Sequence, residues 1–278
     1  MALSLNITGS FEGGGWSNLA NNFDGQGFSL GLNQQNLGQG TLQPILNTVL
    51  EQNRPLAEML FTATNLRSLS SMLTAWSRSA AVMRVTASAI NQPLFSEESA
   101  ISPLDEGFPK IVSALGAREN ASVAWAVESV YQSDRMTFKP DWKKSLQSFA
   151  AAAPFRSVQV KAANGMFTRA SAYFTSFKFH ELRSIILMYD FVVQNGGFTS
   201  AQAALMRQWD SENSGASETA RLLKLLEIRV LSVRAQYRGD VNARKKAIIN
   251  GVGTVHGSAR NLPSQYCYRS KEQVIIQP

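Results

Sequence analysis

Two carboxylates and a hydroxyl stand close together near the start of the chain, in the segment FEGGGWSNLANNFDGQGFSLG. Glu12, Asp24 and Ser29 are residue types that hydrolysis of a glycosidic bond requires: a protonated acid for the leaving oxygen, a second carboxylate across the sugar, and a group that holds water. Aromatic residues flank Glu12, and no lysine or arginine precedes Arg54. An apolar wall and a lack of nearby cations favour a protonated carboxylic acid. Either carboxylate could activate a water held by Ser29.

A plainer interpretation of the same residues stays open. In it, Glu12 is a surface residue and Asp24 forms a turn with Gly25, as Asp-Gly pairs commonly do. The glycines around Asp24 fit both interpretations, because they suit a tight turn and also let a sugar chain approach the backbone.

The elements that must position these residues are mainly helical. Residues 1–40 are rich in Gly and Asn and poor in helix formers, and the alternation from Gly25 to Leu32 predicts a turn and a short strand or hairpin. From Thr41, a predicted N-cap, apolar residues follow a helical stripe up to the break at Arg54-Pro55. Further helices are predicted at 56–62, 64–77, 108–116, 120–132, 141–151, 155–176, 178–194, 200–212, 217–238 and 241–250. The longest predicted loop, 91–107, is the candidate lobe boundary.

Composition limits the classes of function. The 278 residues carry a net charge of +7, which indicates an anionic partner such as nucleic acid, an acidic membrane surface or a cell-wall polymer. One cysteine and two histidines argue against a structural zinc site, and we expect no metal and no cofactor. No apolar run is long enough for a transmembrane segment, and the first residues lack the pattern of a secretory signal. We therefore expect synthesis in the cytoplasm and delivery by another route, or a module of a longer protein.

Three segments resemble the family 46 chitosanases, which belong to the lysozyme superfamily. The run Asp24-Gly25-Gln26-Gly27-Phe28-Ser29-x-Gly31 resembles their D-G-R-G-[YF]-T-x-G signature, with Gln26 in place of a basic residue and Ser29 in place of Thr. The helix end at 189–196 and the segment 244–257 resemble two later parts of the same enzymes. The resemblance implies a two-lobed, mainly α (α+β) lysozyme-like fold with a small N-terminal β-hairpin and a cleft. It makes residues 1–278 a single catalytic domain, with a smaller lobe of about 1–55 and a larger helical lobe.

The resemblance also implies roles for single residues. Glu12 is then the general acid, Asp24 the second carboxylate and Ser29 the hydroxyl that positions water. Polar residues predicted to bind substrate are Gln26, Gln35, Asn36, Gln194, Asn195 and His256. For Gln35 and Asn36 a polar loop before the next helix is an equal alternative, and for His256 a hydrogen-bonded structural role is the stronger one.

Asp190 and Gln194 lie four residues apart on one face of a helix that is otherwise apolar. A buried aspartate needs a cationic partner, and we expect a salt bridge with Arg244 that supports the site from behind.

The expected substrate follows from charge. Chitosan is a polycation and calls for a carboxylate-rich site, whereas peptidoglycan carries peptide carboxylates that attract a basic protein. We therefore expect cleavage of peptidoglycan glycan strands, with chitosan-like substrates second and a non-catalytic wall-binding module as the rival class. We expect action at the cell wall after delivery, with an immunity or delivery protein as a further partner. Residues 221–246 carry +6 and could also form a nucleic-acid face, but no aromatic interleaving accompanies them, and we expect no nucleic-acid partner.

Overall fold

A computed structural model describes residues 1–13, 15–90 and 121–276. The chain divides into two compact units. The continuous unit is Gly15–Ala162, and the discontinuous unit combines Met1–Gly14 with Ala163–Pro278. These bounds differ from the expected lobe of about 1–55, and the expectation of one catalytic domain stays a prediction. The predicted loop at 91–107 and the predicted helix at 108–116 lie outside the described residues.

Helices dominate both units, which confirms the mainly helical expectation. The helices are α1 (Ala2–Phe11), α2 (Gln43–Gln52), α3 (Arg54–Leu60), α4 (Ala63–Ile90), α5 (residues 121–129), α6 (Pro140–Ala151), α7 (Ala153–Ser176), α8 (Leu182–Asn195), α9 (Ser200–Glu212), α10 (Glu218–Leu231), α11 (Arg238–Asn250) and α12 (Leu262–Tyr266). A 3₁₀ turn, Ala235–Tyr237, precedes α11. In the part of the chain that is described, none of these helices is both long and apolar enough to cross a bilayer.

The continuous unit contains the predicted β element. Strands β1 (Leu19–Ala20), β2 (Ser29–Leu30) and β3 (Gln35–Asn36) form an antiparallel sheet in that order. Leu30 of β2 is buried with the apolar stripe of α2 in one core. Four aromatic residues of α3, α6 and α7, or next to them, meet edge to face in that core: Phe61, Trp142, Phe149 and Phe155. Edge-to-face pairs add to the hydrophobic gain from burial.

The predicted N-cap at Thr41 is wrong. The residue before α2 is Leu42, and it makes no side-chain cap. The Thr41 hydroxyl instead accepts a hydrogen bond from the Asn36 N–H at 3.0 Å. Thr41 therefore binds the end of β3 and does not cap the start of α2.

In the discontinuous unit, α8 is buried along most of its length, from Arg183 to Val192. It packs against α1 and α11. A second hairpin follows α11, with β4 (Val252–Val255) paired to β5 (Ser258–Asn261) through a turn at His256-Gly257. Both turn residues have positive φ, 50° and 73°, as a type I′ turn requires.

Three expectations for this unit need correction. Residues 2–11 form α1 despite Thr8 and Gly9, because most of the helix is buried and tertiary packing outweighs weak intrinsic propensity. The hairpin β4–β5 was not predicted. The basic helix expected at 217–238 ends at Leu231, and α11 begins separately at Arg238.

Gly31 lies where the sheet meets α7. Its φ is +89°, and a Cβ built on it would lie 2.3 Å from Gln159 Oε1. That oxygen accepts the Leu32 N–H at 2.9 Å, while Nε2 of the same side chain donates to the Trp16 carbonyl at 3.1 Å. Gln159 therefore ties the hairpin to α7, and Gly31 leaves room for it.

We expect Gly31→Ala to lower the free energy of unfolding by about 2–4 kcal/mol, because it adds left-handed backbone strain and displaces Gln159 from the Leu32 N–H. Gly25→Ala is the control, since Gly25 also has positive φ, +79°, but nothing lies within 4 Å of its added Cβ. Urea denaturation compares the two. Equal losses would show that backbone strain alone accounts for the effect.

Candidate functional site

Glu12 lies at the C-terminal end of α1, where its N–H donates to the Gly9 carbonyl at 3.1 Å. Its carboxylate accepts a hydrogen bond from Nη1 of Arg244 on α11 and forms a salt bridge with it. The Glu12 side chain is 20% exposed, whereas that of Arg244 is 1% exposed. The guanidinium also lies over the ring of Phe11, 5.1 Å from its centroid. Glu12 is therefore held at one end of a buried cation.

The other side of Arg244 binds Asp190 on α8. Nε and Nη2 of the arginine donate to the Asp190 carboxylate at 2.9 and 2.7 Å, a two-pronged arrangement that favours arginine over lysine. Lys245, the next residue on α11, donates to the other carboxylate oxygen at 2.5 Å. Asp190 and Lys245 are fully buried. The salt bridge predicted between Asp190 and Arg244 is therefore present, and a second cation shares it.

The network continues from Lys245 towards the surface. Lys245 Nζ donates to Oε1 of Gln194 at 2.5 Å, and Gln194 Nε2 donates to Asp240 at 3.1 Å. Asp240 in turn lies 2.7 Å from Nε2 of His256, which is 48% exposed in the β4–β5 turn. Glu12, Arg244, Asp190 and Lys245 are called the buried charge cluster below, and Gln194, Asp240 and His256 form its extension.

One carboxylate between two cations determines the electrostatics of the cluster. Burial alone would raise the pKa of Asp190, but Arg244 and Lys245 outweigh it and lower that pKa to about 2. Burial lowers the pKa of Lys245 to about 8, and the like charge of Arg244 acts in the same direction, whereas the contact with Asp190 opposes both. Burial would also lower the pKa of Arg244, but Asp190 and Glu12 raise it instead.

The cluster changes the interpretation of Glu12. The expectation that Glu12 has no cation nearby is wrong, because Arg244 comes from 232 positions further along the chain. Lys245 and Asp240 were also missed as site residues. A signal for Lys245 existed: Val241, Arg244, Lys245, Ile248 and Ile249 follow the spacing of one helical stripe, and all five are buried.

Asp24 lies in the other unit, at the exposed tip that precedes β2. Its Oδ1 accepts the Gln26 N–H at 3.1 Å, so it forms the turn that the plainer interpretation expected. The nearby Gly27 is held from two sides, by Oδ1 of Asn22 at 2.8 Å on its N–H and by the hydroxyl of Tyr131 at 2.6 Å on its carbonyl. Burial, with a further contribution from the charge of Asp24, raises the pKa of Tyr131.

The other predicted polar residues divide between the two units. In the continuous unit, Ser29 is 7% exposed and pairs with Asn36 across the sheet. Asn36 accepts the Gln39 N–H through Oδ1 at 2.7 Å, and Gln35 is 8% exposed. Gln26 lies against Gly38. These contacts are structural, and a role in substrate binding stays a prediction for each residue.

In the discontinuous unit, Gln194 uses both ends of its amide within the extension of the cluster. Asn195 Oδ1 is buried with no hydrogen-bond partner among the described residues. Asn195 also contributes its backbone carbonyl, which accepts from Arg229 at 2.5 Å. Substrate binding by Gln194, Asn195 and His256 stays a prediction.

The basic segment 221–246 is held largely by contacts inside its own unit. Arg221 binds Asp210 with two N–H groups, both at 2.8 Å, and Arg229 donates to the Gly197 carbonyl at 3.0 Å. Arg238 donates to the Val233 carbonyl at 2.9 Å. With Arg244 and Lys245 buried, the segment does not present its eight basic residues as one continuous surface.

We expect Asp190→Asn to lower the free energy of unfolding by about 3–5 kcal/mol, because two buried cations lose their shared anion. Glu227→Gln, which breaks the exposed pair with Lys224, is the control and should change stability by less than about 0.5 kcal/mol. The lowered pKa of Asp190 means that its contribution is present above pH 4 and is lost as the pH falls towards 2. Chemical denaturation of both variants and the wild type between pH 2 and 7 tests this. A wild type and an Asp190→Asn variant with the same pH dependence would contradict it.

Among the described residues, no group of three or more His, Cys, Asp or Glu side chains is arranged to hold a metal ion. No protein-family model matches the chain, and no curated protein matches it either. A function for this chain therefore has to be argued from its own residues.

Proposed function

We propose that this protein is a glycoside hydrolase that cleaves the glycan strands of bacterial peptidoglycan, with a muramidase-type, inverting mechanism. The two-lobed lysozyme-like arrangement and its cleft are part of this proposal. Glu12 is the general acid, Asp24 the second carboxylate and Ser29 the hydroxyl that holds the attacking water. Inversion requires the two carboxyl groups to lie about 6.5–9.5 Å apart.

The observation that carries the proposal is the exposure of Glu12 at one end of the buried charge cluster. Burying an aspartate, an arginine and a lysine has a large desolvation cost, so the cluster is weak evidence for a gain in stability. Three of the four members are at most 1% exposed, and Glu12 alone is 20% exposed. The cluster therefore supports a single carboxylate that solvent or a substrate can reach.

The contact with Arg244 is compatible with Glu12 as the general acid, because the charge of Glu12 changes during the reaction. A general acid is neutral before proton transfer and ionised after it, so charge develops on Glu12 in the transition state. A fixed cation beside Glu12 stabilises that developing charge, which is the differential stabilisation that catalysis needs.

Charge favours peptidoglycan as the substrate. The chain carries +7, and the peptide carboxylates of peptidoglycan attract it, whereas chitosan would be repelled. A chitosanase-type hydrolase is the second candidate, because the hairpin motif around Asp24 resembles that family. A non-catalytic wall-binding module is the third. In the first case the protein acts at the wall of a target or host cell after delivery, with an immunity or delivery protein as partner.

We expect Glu12→Gln to reduce the release of reducing ends from purified sacculi at least 100-fold, because glutamine cannot donate the proton. The amide oxygen can still accept a hydrogen bond from Arg244 and Asp190 still pairs with it, so the variant should fold although it loses the ion pair. Glu227→Gln removes a carboxylate from the same unit and should keep wild-type activity. Unchanged hydrolysis by Glu12→Gln would remove Glu12 from the acid role.

Asp24→Asn should also reduce hydrolysis, by about 100-fold or more, without altering the fold, because asparagine supports the same turn bond to the Gln26 N–H. Asp141→Asn is the control for charge, as Asp141 is exposed at the start of α6 in the same unit. Activity measured on sacculi compares them. If both variants matched the wild type, Asp24 would be a turn residue only.

The products separate the three candidates. Mass spectrometry of digested sacculi should give muropeptides with reducing ends, whereas anhydro ends would indicate a lytic transglycosylase. Cleavage of chitosan but not of sacculi would favour the second candidate. Retention on sacculi without any new reducing end would favour the binding module.

A further inference from the structure

A cavity of about 640 Å³ that is widely open to solvent lies on the surface of the continuous unit, between α5 and the turn that joins α5 to α6. It is within the range of small-ligand sites in proteins. Ala124 and Val127 contribute an apolar side, which the almost completely buried Tyr131 borders. Gln132, Ser133, Arg135 and Lys139 contribute a polar, cationic side, with one carboxylate from Glu128. The cavity therefore combines an apolar wall with a net positive charge.

The turn that carries Arg135 is well determined by its own hydrogen bonds. Tyr131 and Phe138 pair across it, and the Gln132 N–H donates to the Thr137 carbonyl at 2.8 Å. Oδ1 of Asp134 accepts the N–H groups of Met136 and Thr137 at 2.9 and 2.8 Å. Arg135 has a φ of 59°, a conformation that is uncommon for residues other than glycine and that often marks functional sites.

The two cations of the cavity differ in what holds them. Lys139 Nζ donates to the carbonyls of Glu128 and Ser129 at 3.2 and 2.8 Å, so it caps the end of α5. Arg135 forms no salt bridge within the described residues, and its side chain is exposed at the cavity. Its planar guanidinium suits a carboxylate, which it can bind through two parallel hydrogen bonds.

Tyr131 joins this cavity to the hairpin that carries Asp24. It borders the cavity from a buried position, and its hydroxyl donates to the carbonyl of Gly27, three residues from Asp24. A second bond, from Asn21 Nδ2 to the Met136 carbonyl at 3.2 Å, holds the start of the hairpin loop against the Arg135 turn. The cavity and Asp24 therefore belong to one connected piece of the continuous unit.

We propose that this cavity is a subsite for the peptide stem of peptidoglycan, with Arg135 binding a stem carboxylate and the apolar wall receiving small side chains such as alanine. The inference rests on the proposed function. It assigns a binding site to the peptide stem, which takes no part in cleavage of the glycosidic bond. It also accounts for a preference for peptidoglycan over chitosan, because a cationic chitosan chain has no carboxylate that Arg135 could bind.

The test uses muramyl dipeptide as the probe, titrated against the full chain and followed by ligand-observed NMR. We expect Arg135→Gln to weaken binding about 10-fold or more, since a charge-assisted pair is lost. Arg67→Gln removes the same charge from an exposed site on α4 of the same unit and should leave the affinity unchanged. Arg135→Lys keeps the positive charge and should regain part of the affinity that Arg135→Gln loses. The methyl ester of the dipeptide lacks the carboxylate, and the wild type should bind it as weakly as Arg135→Gln binds the dipeptide.

Three results would overturn the inference: no binding of the dipeptide to the wild type, equal binding to the wild type and Arg135→Gln, or an equal loss in Arg67→Gln. Hydrolysis of sacculi is measured separately. A protein that binds the dipeptide through Arg135 and releases no reducing ends would contradict the hydrolase and leave the subsite standing. A protein that hydrolyses sacculi but does not bind the dipeptide through Arg135 would contradict the subsite and leave the hydrolase standing.

Discussion

The contact of Asp190 with Arg244 and Lys245 is the constraint on which the discontinuous unit depends. It joins α8 to α11 through two cations and one carboxylate that are all buried. Since adjacent residues of α11 must reach the same carboxylate, few registers of the two helices satisfy both contacts, which is how a buried ion cluster gives specificity. Nη1 of Arg244 holds the end of α1, and the extension through Gln194 and Asp240 holds the β4–β5 turn.

In the continuous unit, hydrogen bonds position the hairpin that carries Asp24. Backbone and amide groups position the hairpin there: Asn22 and Tyr131 fix Gly27, and Gln159 fixes Leu32. Within the described part of the chain, the carboxylate of Asp24 makes one hydrogen bond, the turn bond from the Gln26 N–H. The carboxylates of Glu12 and Asp24 therefore have different environments. One is bound to a buried cation, and the other is exposed at a turn.

Individual helices and strands were predictable from sequence where the spacing of buried residues and the local propensity favour the same structure. The stripe of α2 and the strand after Gly27 are examples, because spacing alone identifies their buried face. The helix α1 was not predictable, since Thr8 and Gly9 disfavour it locally and its stability comes from packing on α8. The pairing of Asp190 with Arg244 could be inferred because a buried acid needs a cation. The contact of Arg244 with Glu12 could not, because nothing local relates residues 232 positions apart.

The same separation has a consequence for biosynthesis. The helix α1 is synthesised before α8 and α11, yet the residues that cover its apolar side chains, such as Ile7 and Phe11, belong to the later segment of the same unit. The continuous unit contains the partners of its own core and can therefore form while the ribosome is still adding α8 to α11. During that interval α1 is an exposed apolar segment of marginal helical stability. Closing so long a loop is slow, so α1 stays exposed for longer than the elements of the continuous unit.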